Sequence, residues 1–175
     1  MKTTETDFLN AHSDRWIARR APKFSVLNVH VAEITASAAR IFPELGAREL
    51  LIPSWRWRFL FAFRAAIGKL FGWDRGLIWN GHEQGPLDRG RHYAFFLIEH
   101  VEEPCELAMS VGNRLTGALM AWVLEESDGG TKVFNVTCAN FPTWQGRLYW
   151  RVIRPFHDAL IEDSLIALAR RVEKR

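Results

Sequence analysis

Residues 146–161 read GRLYWRVIRPFHDALI, and they follow directly on four strand-like segments. That junction decides the fold. Between Trp144 and Arg171, the residues Tyr149, Val152, Ile153, Phe156, Leu160 and Ala167 recur at helical spacing, which predicts a long amphipathic helix. Pro155 lies inside it. A proline removes one backbone hydrogen bond and crowds the preceding turn, so a kink or a fresh start is expected near Arg154. Upstream, His92–Val101, Cys105–Val111, Thr116–Glu126 and Lys132–Asn140 have strand length and strand patterning. Gly112-Asn113 and Asp128-Gly129-Gly130 supply the positive φ that tight hairpins need, so these strands run antiparallel. Thr116–Glu126 is apolar on both sides, as a central strand would be.

Working outward, Phe24–Ala32 alternates and reads as a first strand. Ser37–Leu45 reads as a short helix that Pro43 and Gly46 break, and Ser54–Phe71 as a longer one that Ser54 caps and Gly72 closes. Phe59, Leu60, Phe63, Ile67, Leu70 and Phe71 gather on one side of that second helix, opposite Arg58 and Lys69. Helices of this kind usually turn their apolar side to the core, and that is the expectation here. Gly76–Glu83 reads as a short strand and Gly85–Gly90 as a loop. Thr6–Arg20 forms a docked helix that ends at Ala21-Pro22, so residues 1–22 are an N-terminal extension and 23–175 one domain. The fold class is α+β: a curved antiparallel sheet of about six strands wrapped around a long C-terminal helix, with two helices after the first strand.

A chain of 175 residues with 48% apolar and 25% charged residues can bury a sizeable core. Eight Trp and twelve Phe exceed ordinary needs and fit a large core, a ring-lined cavity or a membrane-facing surface. The net charge of +3 is small, and with cations scattered among acids no nucleic-acid partner is expected. Cys105 and Cys138 show neither disulfide nor metal spacing, and the polar N-terminus lacks the apolar core of a leader. The expectation is a reduced, cytoplasmic setting without a membrane span.

No strong catalytic motif is present. The six histidines lack HExxH or Cys/His spacing, so no metal is expected, and no phosphate or dinucleotide loop calls for a cofactor. His157, flanked one turn away by Ile153 and Ile161, is the best single candidate for acid–base work, against an ordinary structural role beside Pro155. Arg147 and Tyr149 either meet a ligand carboxylate or phosphate or anchor the helix to the sheet. Glu99, Glu102, Glu103 and Glu106 cluster near one hairpin and read as an acidic, solvated loop.

The segment quoted first resembles the C-terminal signature, Gly-Arg-x-Tyr-x-x-x-Ile-x-Pro-Phe-His, of an uncharacterised bacterial domain-of-unknown-function family. It maps onto Gly146, Arg147, Tyr149, Ile153, Pro155, Phe156 and His157. An upstream Pro-x-Trp segment is similar at Pro53, Trp55, Leu60, Arg64 and Gly72. The resemblance implies a helix-grip fold of the START, polyketide-cyclase and Bet v 1-like (SRPBCC) superfamily, whose members often hold lipids or other apolar molecules. The family's Asp-x-His-Leu-Asp-Phe-like run is replaced here by Val111–Ala118.

The function expected is therefore the binding of a small apolar or amphipathic, lipid-like ligand between sheet and C-terminal helix. The expected lining is Phe95, Leu97, Leu107, Met109, Leu119, Trp122, Phe134, Val136, Tyr149, Ile153 and Phe156. The alternatives are a cyclase- or dehydratase-like enzyme using His157 with Tyr149 or Arg147, and a membrane-surface or protein-interaction module using the Trp55–Phe71 helix.

Overall fold

The computed structural model describes residues 5–47, 50, 53–73 and 87–174. Two short helices, α1 (Glu5–Ala11) and α2 (Trp16–Arg20), precede strand β1 (Val26–Ile34). A short helix α3 (Ala38–Ile41) continues into a 3-10 turn, Phe42–Gly46, and helix α4 spans Trp55–Phe71. Strands β2 (His92–Tyr93), β3 (Phe96–Glu102), β4 (Glu106–Gly112), β5 (Gly117–Ser127) and β6 (Gly130–Asn140) follow, and helix α5 (Trp144–Glu173) ends the chain. The six strands form one antiparallel sheet in the order β1-β6-β5-β4-β3-β2. The α+β class, the sheet and the long last helix are those the sequence predicts. Gly76–Glu83 lies outside the described residues.

Several boundaries differ for physical reasons. The first helix expected over Thr6–Arg20 is two helices with a turn between them. The strand expected over His92–Val101 is split because Ala94 takes φ 56, a left-handed conformation that an extended strand cannot contain. Ser54 sits at the N-cap of α4, but its side chain makes no capping bond. At the other end Gly72, at φ 64, closes α4 by donating to the Lys69 carbonyl, while Trp73 donates to Gly68. Pro155 does not interrupt α5: the proline and Arg151, whose carbonyl loses its donor, both face solvent.

The sheet has two differently finished faces. On the outer one, Ala108, Leu119, Ala121, Val123, Phe134, Val136 and Cys138 pack against Phe8, Ile17, Ala18 and Ala21 of the N-terminal segment. Glu106 fastens that segment. It is fully buried, and its carboxylate accepts from the backbone N–H groups of Trp16 at 2.9 Å and Ile17 at 2.8 Å, the unpaired donors of the first turn of α2. Glu106 is thus not part of a solvated acidic loop. On the inner face, the second half of α5 buries Ile161, Leu165, Leu168 and Val172 against Ile34, Leu124, Val133, Ile41, Phe42 and Leu45. The start of α5 is pinned at Gly146. Its N–H donates to the Thr143 hydroxyl at 3.1 Å, and a Cβ there would lie 2.5 Å from the Leu115 carbonyl oxygen.

Candidate functional site

The site lies on the inner face under the middle of α5. Antiparallel pairing fixes which side chains share that face. His30 is opposite Asn135, Asn135 opposite Trp122, and Trp122 opposite Leu107. One row along, Asn28, Thr137, Met120 and Met109 are aligned in the same way. Half of each row is polar (β1 and β6) and half apolar (β5 and β4). The surface is therefore amphipathic across the strands.

Helix α5 adds His157 and Asp158 above the polar half. The Asp158 carboxylate is the hub. Asn28 Nδ2 donates to it at 2.6 Å, and His30 Nε2 and His157 Nδ1 each lie 3.5 Å from the same oxygen. Arg154 Nε is 3.9 Å from the other. Burial alone would raise the Asp158 carboxyl, but the hydrogen bonds from Asn28 and His157 and the nearby His30 ring outweigh it and hold the group below its ordinary value. Burial pushes His157 below the usual imidazole range, and the Asp158 carboxylate only partly opposes this. The His157 ring also meets Trp150 edge-on at 5.3 Å.

Beside the hub, hydrogen-bonding capacity is left over. Asn135 is fully buried, and neither its amide nitrogen nor its oxygen has a partner among the described residues. The same holds for the Thr137 hydroxyl and for His30 Nε2, whose Asp158 contact is too poorly directed to count as a hydrogen bond. Leaving one buried polar group unsatisfied costs roughly 1–3 kcal/mol, and native interiors rarely gather four such atoms.

The residues expected from sequence fall into three sets. Leu107, Met109 and Trp122 lie on the inner face in its apolar cluster, with Phe95 packed against them and Tyr149 and Ile153 half-buried on α5. Leu119, Phe134 and Val136 are on the outer face with the N-terminal helices, and Leu97, opposite Ser110, alternates to that side too. Strand parity is the reason: on β6 Phe134, Val136 and Cys138 face outward, while Asn135 and Thr137 share the inner side with Val133. Phe156 faces solvent, as does Arg147, and the Tyr149 hydroxyl accepts from Arg64 Nε at 3.3 Å. Tyr149 thus ties α5 to α4 rather than to the sheet. Asn28, His30, Asn135, Thr137 and Asp158 were missed. The available signal was a pair of polar residues at period-two spacing in the middle of each of two strands.

Other chemistry is limited. Burial raises the Cys138 thiol to about 12, so it is no nucleophile. His100, Glu102 and Glu106 are close enough to suggest a metal site, but Glu106 is already committed to Trp16 and Ile17. Among the described residues, no helix is long and apolar enough to cross a membrane.

With its six-stranded antiparallel sheet and long C-terminal helix, the fold resembles the helix-grip class. The chain belongs to the DUF2867 family, described as proteins of unknown function, whose profile matches residues 20–164. Among solved structures it is similar to Ms6760 from Mycobacterium smegmatis, at 13% identity and TM-score 0.52, covering 83% of this chain and 90% of that one. A protein from Arthrobacter aurescens is similar at 11% identity and TM-score 0.52, covering 86% and 88%. DynU16, a protein in the dynemicin biosynthetic locus, matches at 14% identity and TM-score 0.50 over 84% of this chain and 47% of its own length. At these identities the likeness is one of fold. No curated protein matches the chain.

Proposed function

We propose that the protein binds a small amphipathic molecule between the inner face of its sheet and the first half of α5, in the reducing cytoplasm. The apolar part of the ligand lies along Met109, Met120, Trp122 and Ile153, and its polar head meets Asn135 and Thr137. The observation that carries this reading is the fully buried Asn135 amide without a partner, on the face that α5 covers. An apolar tail contributes roughly 25 cal/mol per Å² buried, before the cost of ordering the ligand. The head supplies the hydrogen bonds that the site lacks, which favours an amphipathic ligand over a pure hydrocarbon.

The Asp158 hub favours a second reading, in which a bound substrate exchanges a proton with His157 while Asp158 orients the ring. One comparison separates the two. Native mass spectrometry of protein purified without detergent is expected to show a bound small molecule in wild type that Asn135→Leu loses. Repeated preparations of empty wild-type protein would count against binding. A chemically altered form of the bound molecule, absent from His157→Gln, would turn binding into catalysis.

A further inference from the structure

Two helix surfaces turn large apolar side chains to solvent. On α4 these are Trp55, Phe59, Phe63 and Leu70; on the first half of α5 they are Trp144, Leu148, Val152 and Phe156, at every fourth residue. All eight are between 53% and 80% exposed. The expectation that α4 packs its Phe59–Phe63–Leu70 side on the core is thus reversed: among the described side chains of α4, the buried positions are Trp57 and Gly68. The two helices are joined through other residues. Trp57 Nε1 donates to Asp163 at 2.7 Å, Arg64 Nε to the Tyr149 hydroxyl, and Trp73 meets the Tyr149 ring edge-on. The apolar rows stay outside those contacts.

Charge sorts with the rows. Trp55–Phe71 contains Arg56, Arg58, Arg64 and Lys69, and residues 144–154 contain Arg147, Arg151 and Arg154; neither stretch holds an acid. These stretches hold seven of the 23 Lys and Arg and none of the 20 Asp and Glu. The rest of the chain, with sixteen cations against twenty acids, is net −4 although the whole is +3. The cations are therefore not scattered evenly among acids, as composition alone implied.

We propose that these two rows form a peripheral docking surface for an anionic lipid bilayer. The Trp and Phe rings and the aliphatic chains enter the boundary between headgroups and acyl chains, and the exposed Arg56, Arg58, Lys69, Arg147 and Arg151 reach the lipid phosphates. Charge selects this occupant. A second copy of the chain would set cations against cations, whereas each basic residue near an anionic surface strengthens binding by roughly fivefold.

Flotation of the full chain with vesicles tests the proposal. Binding to equimolar phosphatidylcholine and phosphatidylglycerol is expected to exceed binding to phosphatidylcholine alone by about tenfold or more, and to fall as salt rises. Phe59→Ser/Phe63→Ser is expected to weaken it by about tenfold, and, separately, Arg56→Gln/Arg58→Gln by about 25-fold. All four side chains face solvent, so both variants should keep the wild-type melting temperature; if the serine variant unfolds, the glutamine variant decides alone. Three results would overturn the proposal: no flotation of wild type, equal binding to both vesicle types, or a dimer without vesicle binding that Phe59→Ser/Phe63→Ser dissolves.

Discussion

On β6, Phe134, Val136 and Cys138 point to one side of the sheet, while Asn135 and Thr137 point to the other. The outer side is a closed apolar layer under the N-terminal helices, with Glu106 tying those helices down. The inner side, under the middle of α5, keeps buried polar atoms without partners. Adjacent residues of one strand thus serve different ends. The outer row supplies stability through packing; on the function proposed above, the inner row gives up some stability for a surface that meets a ligand head.

The comparison can be broken at neighbouring positions. Phe134→Ala removes a ring that packs against Phe8 and His12, and is expected to cost about 3–5 kcal/mol in chemical denaturation. An effect below about 1 kcal/mol would mean that the outer layer is not a tight core. Glu106→Gln replaces an acceptor with an N–H₂ group facing backbone donors. The expected loss is about 1–3 kcal/mol, with early exchange of the Trp16 and Ile17 amides in hydrogen-exchange measurements.

On the inner side the expectation changes. Asn135→Leu removes unsatisfied polar atoms at similar volume, so the stability of the ligand-free protein should stay within about 1 kcal/mol of wild type. A loss as large as that from Phe134→Ala would show that Asn135 is structural. The smallest effect is a pH dependence. Because burial holds His157 below its ordinary 6.5, the unfolded chain takes up that proton first as pH falls. Stability contributed by neutral His157 is complete above about pH 6.5 and is lost below it, until the folded ring also protonates. Asp158, held below its ordinary 3.8, adds its own loss only at lower pH. Melting curves from about pH 8 to about 5 should therefore fall less steeply for His157→Gln than for wild type. Equal slopes would mean that the ring is not desolvated.

Much of this fold was legible in the chain. Period-two strands and the three-and-four spacing after Trp144 were enough for the antiparallel sheet and the last helix, because each is a local signal; of the hairpin residues expected to take a positive φ, Gly130 does and Gly112 and Asn113 do not. The candidate site was legible only in part. Leu107, Met109 and Trp122 were found because they are apolar in strands, but the same criterion selected Leu119, Phe134 and Val136. Parity between strands depends on register, which no single strand reveals. Asn135 and Thr137 were passed over because polar residues in a strand read as solvent-facing, and the fold nonetheless buries both. The face of α4 was misread for a related reason: spacing shows that a helix has two sides, not which of them meets the core.

We infer that the inner face, at Asn135 and Thr137, is a binding surface. A high-resolution crystal structure of protein purified without detergent tests it most directly. The account predicts density for a small molecule with a polar atom within hydrogen-bond distance of the Asn135 amide or the Thr137 hydroxyl, and an apolar part along Met109 and Met120. It is contradicted if α5 lies flush on the sheet, with the Asn135 amide paired to the protein's own groups and the space filled by its side chains.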